Sequence, residues 1–161
     1  MKYFPFYIDL KKKSVLLIGG GEVAERKLDL LIKADANVTV ISPETTPYIL
    51  DIAEKNNIKI INEEYSSQYL DKKYSFVIAA TNNEKLNKSI ALDANKNNIL
   101  VNVVDRPEIC DFIFPSILER GDITVSVSTG GASPVLARML RTKLETMIPG
   151  AYGKVAKIIA E

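Results

Sequence analysis

Histidine is absent from all 161 residues, which removes the commonest general base and the commonest transition-metal ligand. Acid–base work must then fall to Asp, Glu, Lys or Tyr. The single cysteine, Cys110, excludes an internal disulfide. With no His or second Cys nearby to share a metal, it reads as a small apolar filler beside Phe112, and no metal site is expected. Charge of one sign is also lacking: 21 Lys and Arg face 20 Asp and Glu, a net charge of +1, so no global field draws the chain to nucleic acid or to an anionic membrane. No apolar run approaches the length of a membrane span. Met1 to Leu10 carries aromatics and Pro5 where a signal peptide would have a basic start and an apolar centre. A cytoplasmic protein is expected, with neither nucleic acid nor membrane as partner. The length suits one well-buried core with a small appendage, not two full domains.

What is present is organised around Val15 to Ala24. Four apolar residues, Val15 to Ile18, read as a buried parallel strand, and Val23 to Ala34 carries apolar residues among good helix formers. Gly19, Gly20 and Gly21 lie between them. In this G-x-G-x-x-A pattern Gly19 permits the tight turn, Gly21 lets the backbone approach a pyrophosphate, and Ala24 lets the helix pack on the strand. The helix N-terminus offers free N–H groups and a positive dipole end.

Further along, strands are expected at Asn37 to Ser42, Ile58 to Ile61, Ser75 to Ala79 and Leu100 to Val104, with helices at Thr46 to Lys55 and Asn83 to Asn97. Tyr3 to Leu10 suits a short edge segment. The alternation implies an α/β fold, a Rossmann-type doubly wound parallel sheet with right-handed crossovers. From Phe112 the pattern changes to a β-hairpin, Phe114 to Leu118 and Ile123 to Ser128, followed by a helix that opens at Ser133-Pro134 and runs to about Met147. On that helix Val135, Leu136, Met139, Leu140, Leu144 and Met147 share one face, with Arg138, Arg141 and Glu145 opposite. A hairpin and one helix bury little by themselves, so this module predicts a symmetric homodimer. The expected division is a nucleotide-binding domain at 1–111, a dimerisation module at 112–149 and a short C-terminal tail at 150–161.

Ligands of open parallel sheets bind beyond the carboxyl ends of the strands. That edge collects Gly19 to Gly21, Ser42-Pro43-Glu44, Thr81-Asn82 and Asn102 to Asp105. The strand-end acid of the fingerprint is replaced by Ser42, with Glu44 two residues on. No Arg or Lys stands there to meet a ribose 2′-phosphate, which points to NAD. Asp105 has two readings: a carboxylate at the mouth of the nicotinamide pocket, or a turn-former before Arg106-Pro107. The loop Ser128-Thr129-Gly130-Gly131-Ala132-Ser133 joins N–H groups, hydroxyls and a helix end into a candidate anion site, which Arg138 and Arg141 could extend, unless Arg141 and Glu145 form an ordinary i,i+4 pair.

Four motifs, Ile18 to Lys27, Ala79 to Asn82, Asn102 to Asp105 and Ser128 to Arg138, occur in an order that resembles the precorrin-2 dehydrogenase module of siroheme synthases. The likeness runs from about Phe4 to Pro149. It implies a homodimeric oxidoreductase that converts precorrin-2 to sirohydrochlorin with NAD in siroheme, hence porphyrin-type tetrapyrrole, biosynthesis. Many members also insert ferrous iron; this chain, without histidine, is expected to be a weak ferrochelatase at best. The resemblance places the catalytic aspartate at Asp105 and cofactor contacts at Glu22, Val23, Pro43 and Glu44. On such a substrate the carboxylate arms are expected at the candidate anion site, the Ser128 to Ser133 loop with Arg138 or Arg141. Some relatives have Ser-Ser where this chain has Ser128-Thr129. Longer members continue into a C-terminal helical domain that helps to cover the tetrapyrrole, which is expected to be missing or replaced after Ala151. The rival expectation is a non-catalytic NAD-sensing regulatory module. Such modules usually carry an acid where Ser42 stands and have no need of Asn102 to Asp105.

Overall fold

A computed structural model describes residues 2–160. They divide into two compact units, residues 5–112 and residues 113–160 with the first few residues of the chain.

The first unit is a five-stranded parallel sheet. Its strands are β1 (Ser14–Ile18), β2 (Asn37–Ile41), β3 (Lys59–Ile61), β4 (Phe76–Ala79) and β5 (Leu100–Val103), in the spatial order β3-β2-β1-β4-β5. The reversal at β1 is that of a doubly wound Rossmann-type fold. Helices α1 (Glu22–Lys33), α2 (Pro47–Asn56) and α3 (Glu84–Lys96) make the crossovers. Apolar runs form the central strands because both faces are covered: Val15 to Ile18 and Phe76 to Ala79 are buried throughout. One face is sealed by Ile90, Ala91 and Ala94 of α3 packing on Leu16, Ile18, Val77, Ala79, Val101 and Val103. Burial of such side chains is worth about 1.5–3 kcal/mol each for the large ones. The register matters most for function. Ile18 lies level with Ile41 and Ala79, Ile41 with Ile61, and Ala79 with Val103, so the residues after these strands share one edge.

The outer side of β5 is closed without a sixth strand. Asp111 returns both bonds of a ladder to Val101: its carboxylate accepts from Val101 N–H (2.9 Å) and its own N–H donates to Val101 O (2.9 Å). Cys110 treats Val103 similarly, accepting from its N–H and donating to its carbonyl, both at 3.1 Å. The thiol is thus more than the apolar filler expected from sequence; it stands in for backbone at a sheet edge. Burial pushes its pKa up, with Val103 N–H pulling the other way. Phe112 packs edge-on against Phe76, with ring centroids 4.9 Å apart, and its carbonyl accepts from Asn102 Nδ2, so it closes the first unit. Tyr3 to Leu10, expected as an edge segment, forms no strand; Phe4, Phe6, Tyr7 and Ile8 are exposed.

The second unit is an antiparallel hairpin, β6 (Ser116–Arg120) and β7 (Ile123–Val127), followed by α4 (Pro134–Met147) and α5 (Ala151–Ala160). Gly121 turns the hairpin at φ +61°. Residues 151–160, expected as a tail, form α5, and its Gly153 shows why. A Cβ there would lie 2.2 Å from Arg120 O, so glycine, a poor helix former, is what lets the helix sit against the hairpin turn. The orientation of α4 also differs from expectation. The face that is covered carries Ala137, Arg141, Leu144, Glu145 and Ile148, while Val135, Leu136, Met139, Leu140 and Met147 are exposed.

Candidate functional site

The glycine loop sits where β1 ends. Gly19 takes φ +126°, and a Cβ on it would lie 2.3 Å from Ala80 O at the end of β4. At Gly20 a Cβ would lie 2.0 Å from Glu44 O and 2.7 Å from Ser42 Oγ, so this glycine lets the loop after β2 close in. Gly21 is different: nothing lies within 4 Å of a Cβ placed there. It is also the N-cap of α1 and supplies no side-chain cap, so the first N–H groups of the helix face open space.

That space belongs to a cavity of about 780 Å³ at the carboxyl edge of the sheet, within the range of small-molecule and cofactor sites. All ten residues expected to hold the cofactor line it: Gly19, Gly20, Gly21, Glu22, Val23, Ser42, Pro43, Glu44, Thr81 and Asn82. Two of them are already engaged. Ser42 is buried and its hydroxyl donates to Glu44 O at 2.6 Å, which shapes the loop and leaves the exposed Glu44 to face a ligand. Thr81 Oγ1 donates to Asn87 Oδ1 at 2.7 Å while Asn87 Nδ2 returns a bond to Thr81 O, so the buried Asn87 pins the turn from β4 into α3. Glu64, Tyr65, Leu86, Asn83, Thr45 and Thr46 also line the cavity and were missed. The available signal was the end of β3, which the same strand-end rule should have included.

An anionic dinucleotide fits these features. Orphan N–H groups at α1 and an open Gly21 suit a pyrophosphate, and among the described residues no Lys or Arg lines the cavity to neutralise a further phosphate. Asp105 lies outside the lining, exposed, two residues after β5, in the left-handed region at φ +58°. Aspartate tolerates that conformation better than most residues, which meets the turn-former reading. Lys27 on α1 is in electrostatic reach of it. Burial, then Arg26, lowers the Lys27 pKa, and Asp105 and Cys110 oppose that shift.

Ser128, Thr129, Gly130, Gly131, Ser133, Arg138 and Arg141 fall in the second unit. Gly130 and Gly131 adopt φ +66° and +88°, as their loop requires. The hydroxyls are used locally: Ser128 Oγ accepts from Gly130 N–H (3.0 Å), Thr129 Oγ1 accepts from Ser133 N–H (3.0 Å), and Ser133 Oγ caps α4 at Leu136 N–H (3.2 Å). Thr129 is therefore the clasp of the loop. Arg141 is paired with Glu145, the ordinary i,i+4 alternative, on the covered face rather than the solvated one. Arg138 is exposed.

A parallel sheet that reverses at β1, a glycine loop and a cavity on the carboxyl edge define a Rossmann-type nucleotide-binding protein. Comparison narrows this. The family model described as NAD(P)-binding matches residues 6–116, and that of the sirohaem biosynthesis protein central region matches residues 120–147. The chain belongs to this NAD(P)-binding family. It is 45% identical over all 161 residues to a siroheme synthase of Psychrobacter arcticus and 45% identical to one of Methylobacillus flagellatus. It spans about a third of these curated relatives, 29% and 34% of their lengths. Its fold matches that of SirC, a precorrin-2 dehydrogenase, over 96% of this chain and 76% of that one, with a TM-score of 0.83 at 26% identity. No described helix is long and apolar enough to cross a membrane.

Proposed function

We propose that this chain is a precorrin-2 dehydrogenase that oxidises precorrin-2 to sirohydrochlorin with NAD in siroheme biosynthesis, as a cytoplasmic homodimer. The observation that carries the reading is the fold shared with SirC over nearly the whole chain, with the cofactor cavity built from the expected residues. Bound NAD supplies a hydride acceptor. The backbone N–H groups at the start of α1 hold the pyrophosphate, and Glu44 takes the ribose hydroxyls and repels a 2′-phosphate. Oxidation removes a hydride from a bridging methylene and a proton from the ring system. In a chain without histidine the Asp105 carboxylate takes that proton. Within the second unit, the exposed Arg138 and the N–H groups of the glycine-rich turn before α4 suit carboxylate arms such as the substrate carries, and Arg141 is paired with Glu145 on the same helix.

The homodimer reading rests on α4. Val135 and Met147 are 76% and 70% exposed, with Leu136, Met139 and Leu140 between them, an apolar stripe of the kind that marks a partner surface. Anaerobic incubation of the chain with precorrin-2 and NAD tests the activity. Appearance of the sirohydrochlorin spectrum with one NADH formed per turnover is expected; NAD binding without oxidation would support the sensor alternative instead.

A further inference from the structure

One end of the cavity is formed by residues that no motif announced. Tyr65 is fixed there: its ring packs on the core cluster and its hydroxyl donates to Asp93 Oδ2 of α3 at 3.1 Å. Burial, then the charge of Asp93 and this bond, hold the phenol well above its ordinary pKa, so it stays neutral. Leu86 joins the same half-buried shell and also lines the cavity. Beside them are two carboxylates with different fates. Glu63 is taken by the Tyr69 hydroxyl, whereas Glu64 has no partner among the described residues and lies on the cavity wall. An apolar slot with one uncommitted carboxylate at its rim suits a flat ring that carries an N–H donor.

Topology indicates which part of a dinucleotide reaches this slot. The glycine loop after β1 takes the pyrophosphate, and the adjoining ribose faces the end of β2 near Glu44. Beyond that ribose lie Glu64 and Tyr65, which follow β3 by three and four residues, and the bond from Tyr65 to Asp93 holds this segment against α3, where Leu86 stands. We propose that Glu64 accepts a hydrogen bond from the 6-amino group of an adenine seated against Tyr65 and Leu86, so that the chain reads the purine and not the pyrophosphate alone. The assignment rests on the NAD reading of the cavity and adds a specificity residue to it. A 6-oxo purine would turn an acceptor towards the carboxylate and be rejected.

Calorimetric titration of the whole chain with NAD and with nicotinamide hypoxanthine dinucleotide, which carries 6-oxo in place of 6-amino, tests this. A hydrogen bond to a charged group is worth about ten- to a hundredfold in affinity, so the chain should prefer NAD by about tenfold or more. Glu64→Gln presents an amide that donates as well as accepts, and should bring the two dinucleotides within about threefold of one another. Because Glu64 is exposed and unpartnered, this variant should fold as the parent does, which its thermal transition checks. An unchanged preference in Glu64→Gln, or equal binding by the parent chain, would overturn the assignment while leaving NAD binding intact. Failure of the parent to bind either dinucleotide would overturn the reading of the cavity itself, and the assignment with it.

Discussion

The two units solve the problem of apolar surface in opposite ways. Residues 5–112 bury theirs internally: almost every fully buried large side chain lies there, and even the outer edge of β5 is closed by Cys110 and Asp111. Among the described residues of the second unit only Leu118 and Ala137 are buried apolar side chains, while α4 and α5 expose Val135, Met139, Met147, Ile158 and Ile159. The first unit can therefore hold a rigid cofactor cavity by itself. The second leaves its apolar stripe on α4 uncovered in a single copy, and the proposed homodimer rests on that stripe.

Changes that test the first unit's closure should have the largest effects. Gly19→Val combines a β-branched residue at φ +126° with a Cβ 2.3 Å from Ala80 O, and should cost about 3 kcal/mol or more, seen as a collapse of the denaturation midpoint. The complementary test in the second unit should leave the fold intact. Leu136→Glu with Met139→Glu adds charge to side chains that are already exposed in one copy, so light scattering should report a monomer with NAD affinity unchanged. Equal dimerisation by this variant would remove α4 from the interface.

Cys110→Ala sharpens the comparison at the sheet edge. It strips Val103 N–H and carbonyl of their partner and should cost about 1–3 kcal/mol, more than a lost apolar filler would. The pH dependence carries a sign as well. Burial raises the folded thiol pKa above its unfolded value, so the neutral thiol's contribution is complete at neutral pH and is lost as pH climbs through the folded pKa. The stability gap between parent and variant should narrow in alkaline solution. The smallest effect on stability belongs to Gly21→Ala, where a Cβ meets nothing: unfolding should shift by no more than about 0.5 kcal/mol, yet NAD binding should weaken because the methyl group enters the cavity.

These contrasts also show what sequence could reveal. The sheet, its helices and the ten residues that line the cavity were legible because buried strands read as apolar runs and the ends of such strands share one edge. The strand at β3 was legible, but the strand-end rule was not carried to it, so Glu64 and Tyr65, three and four residues beyond its end, were overlooked. The face presented by α4 was misjudged because periodicity identifies an apolar stripe but not which neighbour covers it. Gly153 and Cys110 could not be read locally at all: one helix depends on a carbonyl 33 residues away, and one thiol on a strand seven residues back.

The central claim is that a chain without histidine runs its oxidation through the carboxylate that follows β5. Asp105→Asn keeps the shape and tolerates the same left-handed backbone while removing the base. The account predicts that turnover of precorrin-2 by this variant falls by about 10²–10⁴-fold with NAD affinity unchanged. Turnover within a few-fold of the parent, with NAD still bound, would make Asp105 a turn residue and leave the proton to solvent.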